Sequence, residues 1–434
     1  NSVEHGRVDS TIGFTQTIGA HSSGRVYYWV VAATNNRDAI DRHSEIQDKN
    51  MVINRILATS KWWHNWLSPA RHFAQRLEPE FQKSFLQSIM LIKSHIDHHG
   101  SIIASTDTTM LHHSRDAYGY CWPRDGAFAI WPLIRIGYKD EPLKFFEFCR
   151  KALRTKGYLS HKYQPDGALG ASWHGYIHEG GVEAPPIQED ETAIVLFVFA
   201  QFYDVHKDNK LLREFLLRDF YEAMIRPMAD FLSSYIDDTT GLPKPSYDLW
   251  EERFNISTYT TATVYASLLS AATLAEAASD DESAVRWRAS ADDMQANAQK
   301  HLYNAEKGML FSGLKIKNNE IEKDQRIDSS AVFGAFMFGL YPFDSEEIQS
   351  SMSAMHQALK MPQPEVLGIA RYENDQYFLV NSELPGNPWL ITTLWLAQYY
   401  IETNNRDEAL KLIKWTKDRM MNTGVMPEQI NPYD

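Results

Sequence analysis

Cysteine is scarce: the 434 residues contain only Cys121 and Cys149. Two thiols supply neither a metal-ligand spacing nor a disulfide framework, so both read as buried and reduced. Long apolar runs are missing as well; nothing reaches the ~18 consecutive apolar residues of a membrane-crossing helix. Residues 1–20 lack the charged, apolar and small-residue order of a signal peptide, which points to a cytoplasmic chain. There is no basic stripe: 43 Lys and Arg stand against 56 Asp and Glu, for a net charge of −13. With acids spread throughout, neither nucleic acid nor a membrane is an expected partner. No Gly-rich phosphate cradle and no paired His ligand motif is found, so no metal or organic cofactor is expected. Composition leaves the oligomeric state open.

What the chain does have is apolar material, 44% of its residues, with 12% aromatic, enough for one large core or two ordinary ones. Residues 10–34, STIGFTQTIGAHSSGRVYYWVVAAT, are rich in β-branched and aromatic residues around a polar middle and read as two strands and a turn. Two strands do not make a stable sandwich, so they are expected to be the end of a β-domain or a small sheet docked elsewhere. Residues 35–70 read as a polar link and one helix.

The rest is helical in two alternating kinds. Residues 125–137, 190–205, 258–278, 328–340 and 388–402 are apolar all round, the mark of a helix buried on every side. Residues 77–98, 141–155, 210–236, 281–303, 345–360 and 405–421 carry charge on one face. Links from the first kind to the second are short. Links from the second to the first, 99–124, 156–189, 237–257, 304–327 and 361–387, are long, and long structured loops are uncommon unless functional. Antiparallel pairs gather all the long links at one end. An inner ring wrapped by an outer one is an all-α (α/α)6 toroid, and the pattern calls for one more inner helix after residue 421. An α-solenoid is the alternative, but no repeated period is visible.

The chemistry-bearing clusters fall in the long links: YGYCWPRD (Tyr118–Asp125), GASWHGY (Gly170–Tyr176), PIQEDETA (Pro186–Ala193), YDLWEER (Tyr247–Arg253), ARYEND (Ala370–Asp375), PGNPW (Pro385–Trp389) and MPEQINPY (Met426–Tyr433). Aromatics, carboxylates and arginines at one end of such a ring fit a sugar: ring faces pack on pyranose C–H surfaces, and charged groups take the hydroxyls. Breaking a glycosidic bond needs two carboxyls, one protonated and one ionised. Glu251, flanked by Trp250 and Glu252, is a candidate for the first, and Glu428 for the second. Local sequence leaves Glu252 open as the proton donor. Both Glu251 and Glu252 could instead cap the following helix, Asp125 could be an N-cap, and Arg124 could be a structural ion-pair partner. Trp173, with His174, is a candidate for the outer part of the pocket.

WPRD, PIQEDETA, DLWEE, RYEND, GNPW and PEQ, in this order over roughly residues 70–434, resemble glycoside hydrolase family 15, the glucoamylase family in its prokaryotic form, whose members include glucodextranase and trehalase-like enzymes. The resemblance implies that Glu251 is the general acid and Glu428 the base that activates water, with inversion at the anomeric carbon. It implies that Trp122, Arg124 and Asp125 hold the terminal glucosyl unit and that Arg371 binds sugar hydroxyls, with Trp389 after the GNP step. The implied partner is an α-glucan or small α-glucoside. Prokaryotic members carry an N-terminal β-super-sandwich, so the expected division is residues 1–34 as its last strands, 35–70 as a linker with a helix, and 71–434 as a catalytic barrel lacking its last helix. Trehalose or isomaltose hydrolysis on the same scaffold is a close alternative, a non-catalytic glucoamylase-like module a remoter one, and Glu428 argues against a phosphorylase.

Overall fold

The computed structural model describes residues 11–46, 49–106, 118–178, 181–317 and 320–433. The chain divides into two units, Asn1–Ser68 and Pro69–Asp434.

In the first unit, the strands expected over residues 10–34 do not form among the described residues 11–34. The turn is where the polar middle predicts it, with Ser22 N–H donating to Gly19 O at 3.2 Å. Phe14 and Tyr28 lie across it with ring centroids 6.5 Å apart. Ile12, Phe14, Tyr28 and Val30 are exposed, and a strand pair with so little burial does not hold a ladder. The link expected after it is helical: α1 (Asn36–Ser44), capped by the Asn35 side chain on Asp38 N–H, and α2 (Lys49–Trp66) replace a link and one helix, and α3 (Ser68–Ala74) follows.

The second unit follows the predicted alternation. The charged-face helices are α4 (Pro79–His95), α6 (Asp140–Ala152), α8 (Lys210–Phe220) continued through a π turn into α9 (Arg226–Ser234), α11 (Asp281–His301), α13 (Glu346–Leu359) and α15 (Arg406–Lys417). The apolar ones are α5 (Pro123–Arg135), α7 (Glu189–His206), α10 (Thr258–Ala277), α12 (Ser329–Met337) and α14 (Leu390–Glu402). Residues 258–268 of α10 are all buried, as are 329–336 of α12. Along the chain α5 packs on α7, α7 on α10, α10 on α12 and α12 on α14, while α6, α11, α13 and α15 each pack on the apolar helix before them. This is the order of an (α/α)6 toroid. Aromatics fill its wall: Phe146 meets Phe199 edge-on at 5.0 Å, and Phe333 stacks on Trp395 at 4.3 Å. The wall is tight at Gly334, where an added Cβ would come within 2.9 Å of the Tyr259 ring.

The long links are not all irregular. Strands β1 (Ser246–Tyr247), β2 (Phe254–Ser257), β5 (Gly313–Lys317) and β6 (Glu320–Asp324) form one antiparallel sheet in the order β1-β2-β5-β6, and β3 (Tyr303–Asn304) pairs with β4 (Met309–Leu310). Single bridges tie other links together: Asp328 to Tyr372, Ile369 to Trp389, and Trp389 to Gln429.

Candidate active site

Residues from the ends of the long links line one cavity of about 760 Å³. Glu251, Glu428, Trp122, Arg124, Asp125, Trp173, Trp250, Glu252, Arg371 and Trp389 lie on it, while His174, also singled out in the sequence, lines a neighbouring cavity instead.

Glu251 sits on the hairpin between β1 and β2. The Asp248 carboxylate shapes that hairpin, accepting from the backbone N–H groups of Glu252 at 3.0 Å and Arg253 at 3.2 Å. Burial pushes Asp248 up to about 7, against the pull of Arg253. Glu251 N–H donates to Asp248 O at 2.9 Å, and Glu251 takes a left-handed φ of 63°, a conformation that a glutamate adopts only where its surroundings impose it. Neighbouring Trp250 is fixed by its indole N–H on Asp328 at 3.1 Å and packs near Trp395 and Trp389.

Glu252 points to a different fate. One oxygen accepts from Arg371 Nη2 at 3.0 Å and the other from the Tyr372 hydroxyl. A carboxylate accepting at both oxygens is a poor proton donor. Arg371 is in turn clamped by Asp375 through Nε and Nη2, both at 2.8 Å, and its guanidinium lies 4.5 Å from the Trp389 ring centre. The segments of Trp389 and Glu428 are joined: Leu390 N–H donates to Glu428 O at 3.0 Å, and the Asn387 side chain donates to the Gln429 side-chain oxygen at 2.7 Å. The indole N–H of Trp389 is buried and has no hydrogen-bond partner among the described residues.

The chain matches the family described as "Glycosyl hydrolases family 15" over residues 80–420. The chain belongs to that family. An uncharacterized glycosyl hydrolase of Methanocaldococcus jannaschii is 28% identical over 359 residues, covering 80% of this chain and 51% of the relative. A protein named trehalase from Mycobacterium tuberculosis is 23% identical over 278 residues, covering 60% of this chain and 39% of the relative. The chain thus spans about half or less of the length of these curated relatives. Among solved structures, a bacterial glucoamylase complexed with acarbose aligns with a TM-score of 0.68 and 19% identity, over 91% of this chain and 57% of that one. At that identity the likeness is one of fold.

Within the cavity, Arg124 bridges α5 and α7. It donates to Gln188 and, at 3.1 Å, to Asp190, and lies 3.6 Å from Glu251 Oε1. It is therefore both an ion-pair partner and part of the cavity wall. Asp125 is not the N-cap of α5; Trp122 holds that position, and Asp125 sits in the first turn. Burial raises the Asp125 carboxyl to about 6, with Arg124 opposing and Glu251 and Glu428 reinforcing. Glu189, Asp190 and Glu191, in the first turn of α7, are fully buried. Trp173 is 45% exposed at the rim, with the Lys162 ammonium 3.6 Å from its ring centre.

Glu428 is raised above the usual glutamate range by burial, with Arg371 opposing and Glu251 reinforcing. For Glu251, burial also pushes up, but the His161 contact, Arg124 and Gln188 pull down, and the net direction is down. His161, which drew no attention in the sequence, faces Glu251 Oε2 through Nε2 at 3.1 Å, and its Nδ1 is 2.8 Å from Ser172 Oγ. Tyr118, Tyr377, Tyr372 and Asp375 were within or beside quoted clusters; His161 carried no signal, because its partner is 90 residues away in the chain.

His161, His174 and Glu251 offer ligand atoms within 4.8 Å of one another. The two imidazoles stack, however, with centroids 3.9 Å apart and planes 21° off parallel. Stacking sets their in-plane lone pairs side by side instead of toward a common point, which suits packing better than metal ligation.

Proposed function

We propose that the protein is an inverting, exo-acting α-glucoside hydrolase of glucoamylase type, releasing β-glucose from non-reducing ends. The observation that carries this reading is two glutamates, Glu251 and Glu428, on one cavity whose remaining polar groups are suited to a sugar. Glu251 protonates the glycosidic oxygen while Glu428 removes a proton from the attacking water. Arg371, Glu252 and Asp125 provide hydroxyl partners, and the unpaired indole N–H of Trp389 is a further donor. Trp122, Trp250 and Trp389 give the apolar faces on which a pyranose packs, and Trp173 stands where the next sugar would leave the pocket.

Released glucose from maltose, isomaltose and trehalose measures the activity and its linkage preference together. Glu251→Gln and Glu428→Gln should each lower turnover by roughly 10²–10⁴-fold, and proton NMR of the first product should show the β anomer. Retained turnover in either variant, or an α-anomeric first product, rejects the assignment. Trehalose hydrolysis is the second reading, favoured by the relative named trehalase; preference for trehalose over maltose in the same screen selects it.

A further inference from the structure

The indole N–H of Trp122 donates to His161 Nε2 at 3.1 Å, in a buried site where Trp122 is 3% and His161 1% exposed. An indole nitrogen can only donate, so Nε2 carries a lone pair and the ring proton sits on Nδ1. That proton has its acceptor in Ser172 Oγ at 2.8 Å. The same Nε2 lies 3.1 Å from Glu251 Oε2. Two acceptors do not approach so closely unless one brings a hydrogen. With no hydrogen on Nε2, the hydrogen belongs to Glu251, and the one Nε2 lone pair is shared between two donors, the Trp122 N–H and the Glu251 O–H. The opposite arrangement, an Nε2–H aimed at a Glu251 carboxylate, would leave the Trp122 N–H facing another N–H inside the protein.

We propose that His161 is a positioning residue for Glu251, fixed by Trp122 and Ser172 in the tautomer that accepts a hydrogen bond from the carboxylic acid. This rests on the reading of Glu251 as the general acid and explains how the acid keeps its proton beside an arginine. The groups facing the pair are Arg124 and Asp125 from α5, Lys162 and His174 from the same link as His161, Asp190 and Glu191 from α7, and Glu428 from the link after α15. Burial, with Lys162 and Arg124, pulls the His161 pKa down against the opposing pull of Glu251, which favours the neutral ring. Arg124 Nη2, 3.6 Å from the other Glu251 oxygen, faces the charge left behind. In the step, the Glu251 Oε2–H turns from His161 Nε2 to the glycosidic oxygen and gives it the proton as the bond from that oxygen to the anomeric carbon breaks. Water oxygen bonds to that carbon, and its proton goes to Glu428; exchange with solvent then resets both glutamates.

Two measurements test it. In the wild-type protein labelled with 15N-histidine, the His161 signals, identified by their loss in His161→Gln, should show an unprotonated Nε2 and a protonated Nδ1 near neutral pH; the reverse tautomer overturns the proposal. In kinetics on the best disaccharide of the screen, His161→Phe should move the alkaline limb of the kcat/KM profile down by about one pH unit. Its loss of kcat/KM should be about tenfold larger on that disaccharide than on α-glucosyl fluoride, whose leaving group needs no proton. His161→Gln, which keeps an acceptor oxygen, should recover part of both effects. An alkaline limb that stays put or moves up overturns the role of His161, while Glu251→Gln retaining disaccharide turnover would overturn the underlying assignment of the acid.

Discussion

His174 is stacked between His161 and Tyr247, with its ring 3.7 Å from the tyrosine ring and 5° from parallel. Neither ring nitrogen finds a partner among the described residues, and burial, then His161 and Arg124, lower its pKa to about 2. The folded protein therefore refuses a proton that the unfolded chain accepts below ~6.5. The stability this costs is nil well above that value and grows as pH falls below it. His174→Phe keeps the stack and removes the titration. Urea unfolding should show the variant close to wild type at pH 7.5 and more stable than wild type by about 1 kcal/mol at pH 5.5; an equal difference at both pH values would refute this. Arg371 belongs to the same scale. Its fork spans Asp375 and Glu252, and Arg371→Lys keeps the charge but loses the paired geometry. We expect KM to rise about tenfold with a smaller change in kcat, as for lost hydroxyl binding. The site residues were legible where the residue types alone carry the chemistry: carboxylates, arginines and tryptophans clustered at the ends of long links. Trp122 and Arg371 were singled out only through the family resemblance, while His161 and Asp328 drew no notice, since an isolated histidine or a helix-capping aspartate has no local pattern that separates a site role from a structural one.

Among the elements, the helices were the most legible part because burial on all sides, or on one face, writes its period directly into the sequence. α10 was expected over 258–278 and spans Thr258–Ala277. The sheet was less so. Residues 304–327 read as a loop, yet Gly313–Lys317 and Glu320–Asp324 pair across it, an alternation of Leu314 and Ile316 with Ile321 too short and too charged to stand out. The strands expected before residue 35 failed for the converse reason, since residue preference without burial does not make a ladder. A junction between rings shows how an element boundary is held. Asp280 caps α11 on Ser283 N–H at 3.2 Å, accepts from Tyr221 at 2.7 Å and pairs with Arg226 at 2.5 Å. These contacts, Arg226 first, hold its carboxyl well below the usual range. That contribution is present above the unfolded value of ~3.9 and is lost as pH falls below it. Asp280→Ala should lower unfolding free energy by ~1–2 kcal/mol at pH 7, and Asp280→Asn by less, because it keeps the cap; equal losses would show that the ion pair, not the cap, dominates. Gly334→Ala tests the other kind of boundary, the contact of α12 with α10, and should cost ~1–3 kcal/mol through overpacking against Tyr259.

Across the second unit, the cavity is where elements far apart in the chain converge: the start of α5, the hairpin before α10, the links before and into α14, and the link after α15. The alternation of short and long links predicted this convergence, because antiparallel pairs leave all their long connections at one end. Which side chains then touch was beyond the pattern, since contacts such as Arg371 to Glu252 close over 119 positions. A ligand bound there joins these elements, and its binding energy adds to the stability of the ring they come from. Carboxyls outnumber cations on the cavity, with Glu251, Glu252, Glu428 and Asp125 against Arg124 and Arg371. A sugar mimic carrying a ring ammonium, 1-deoxynojirimycin, should therefore bind more tightly than glucose. At 100 times its Kd it should stabilise the fold by about 2.7 kcal/mol, seen as a rise in Tm by calorimetry. The gain should shrink in Glu428→Gln, which removes one negative charge facing the ammonium. A Tm that does not move at concentrations saturating inhibition would mean that the inhibitor binds outside this ring.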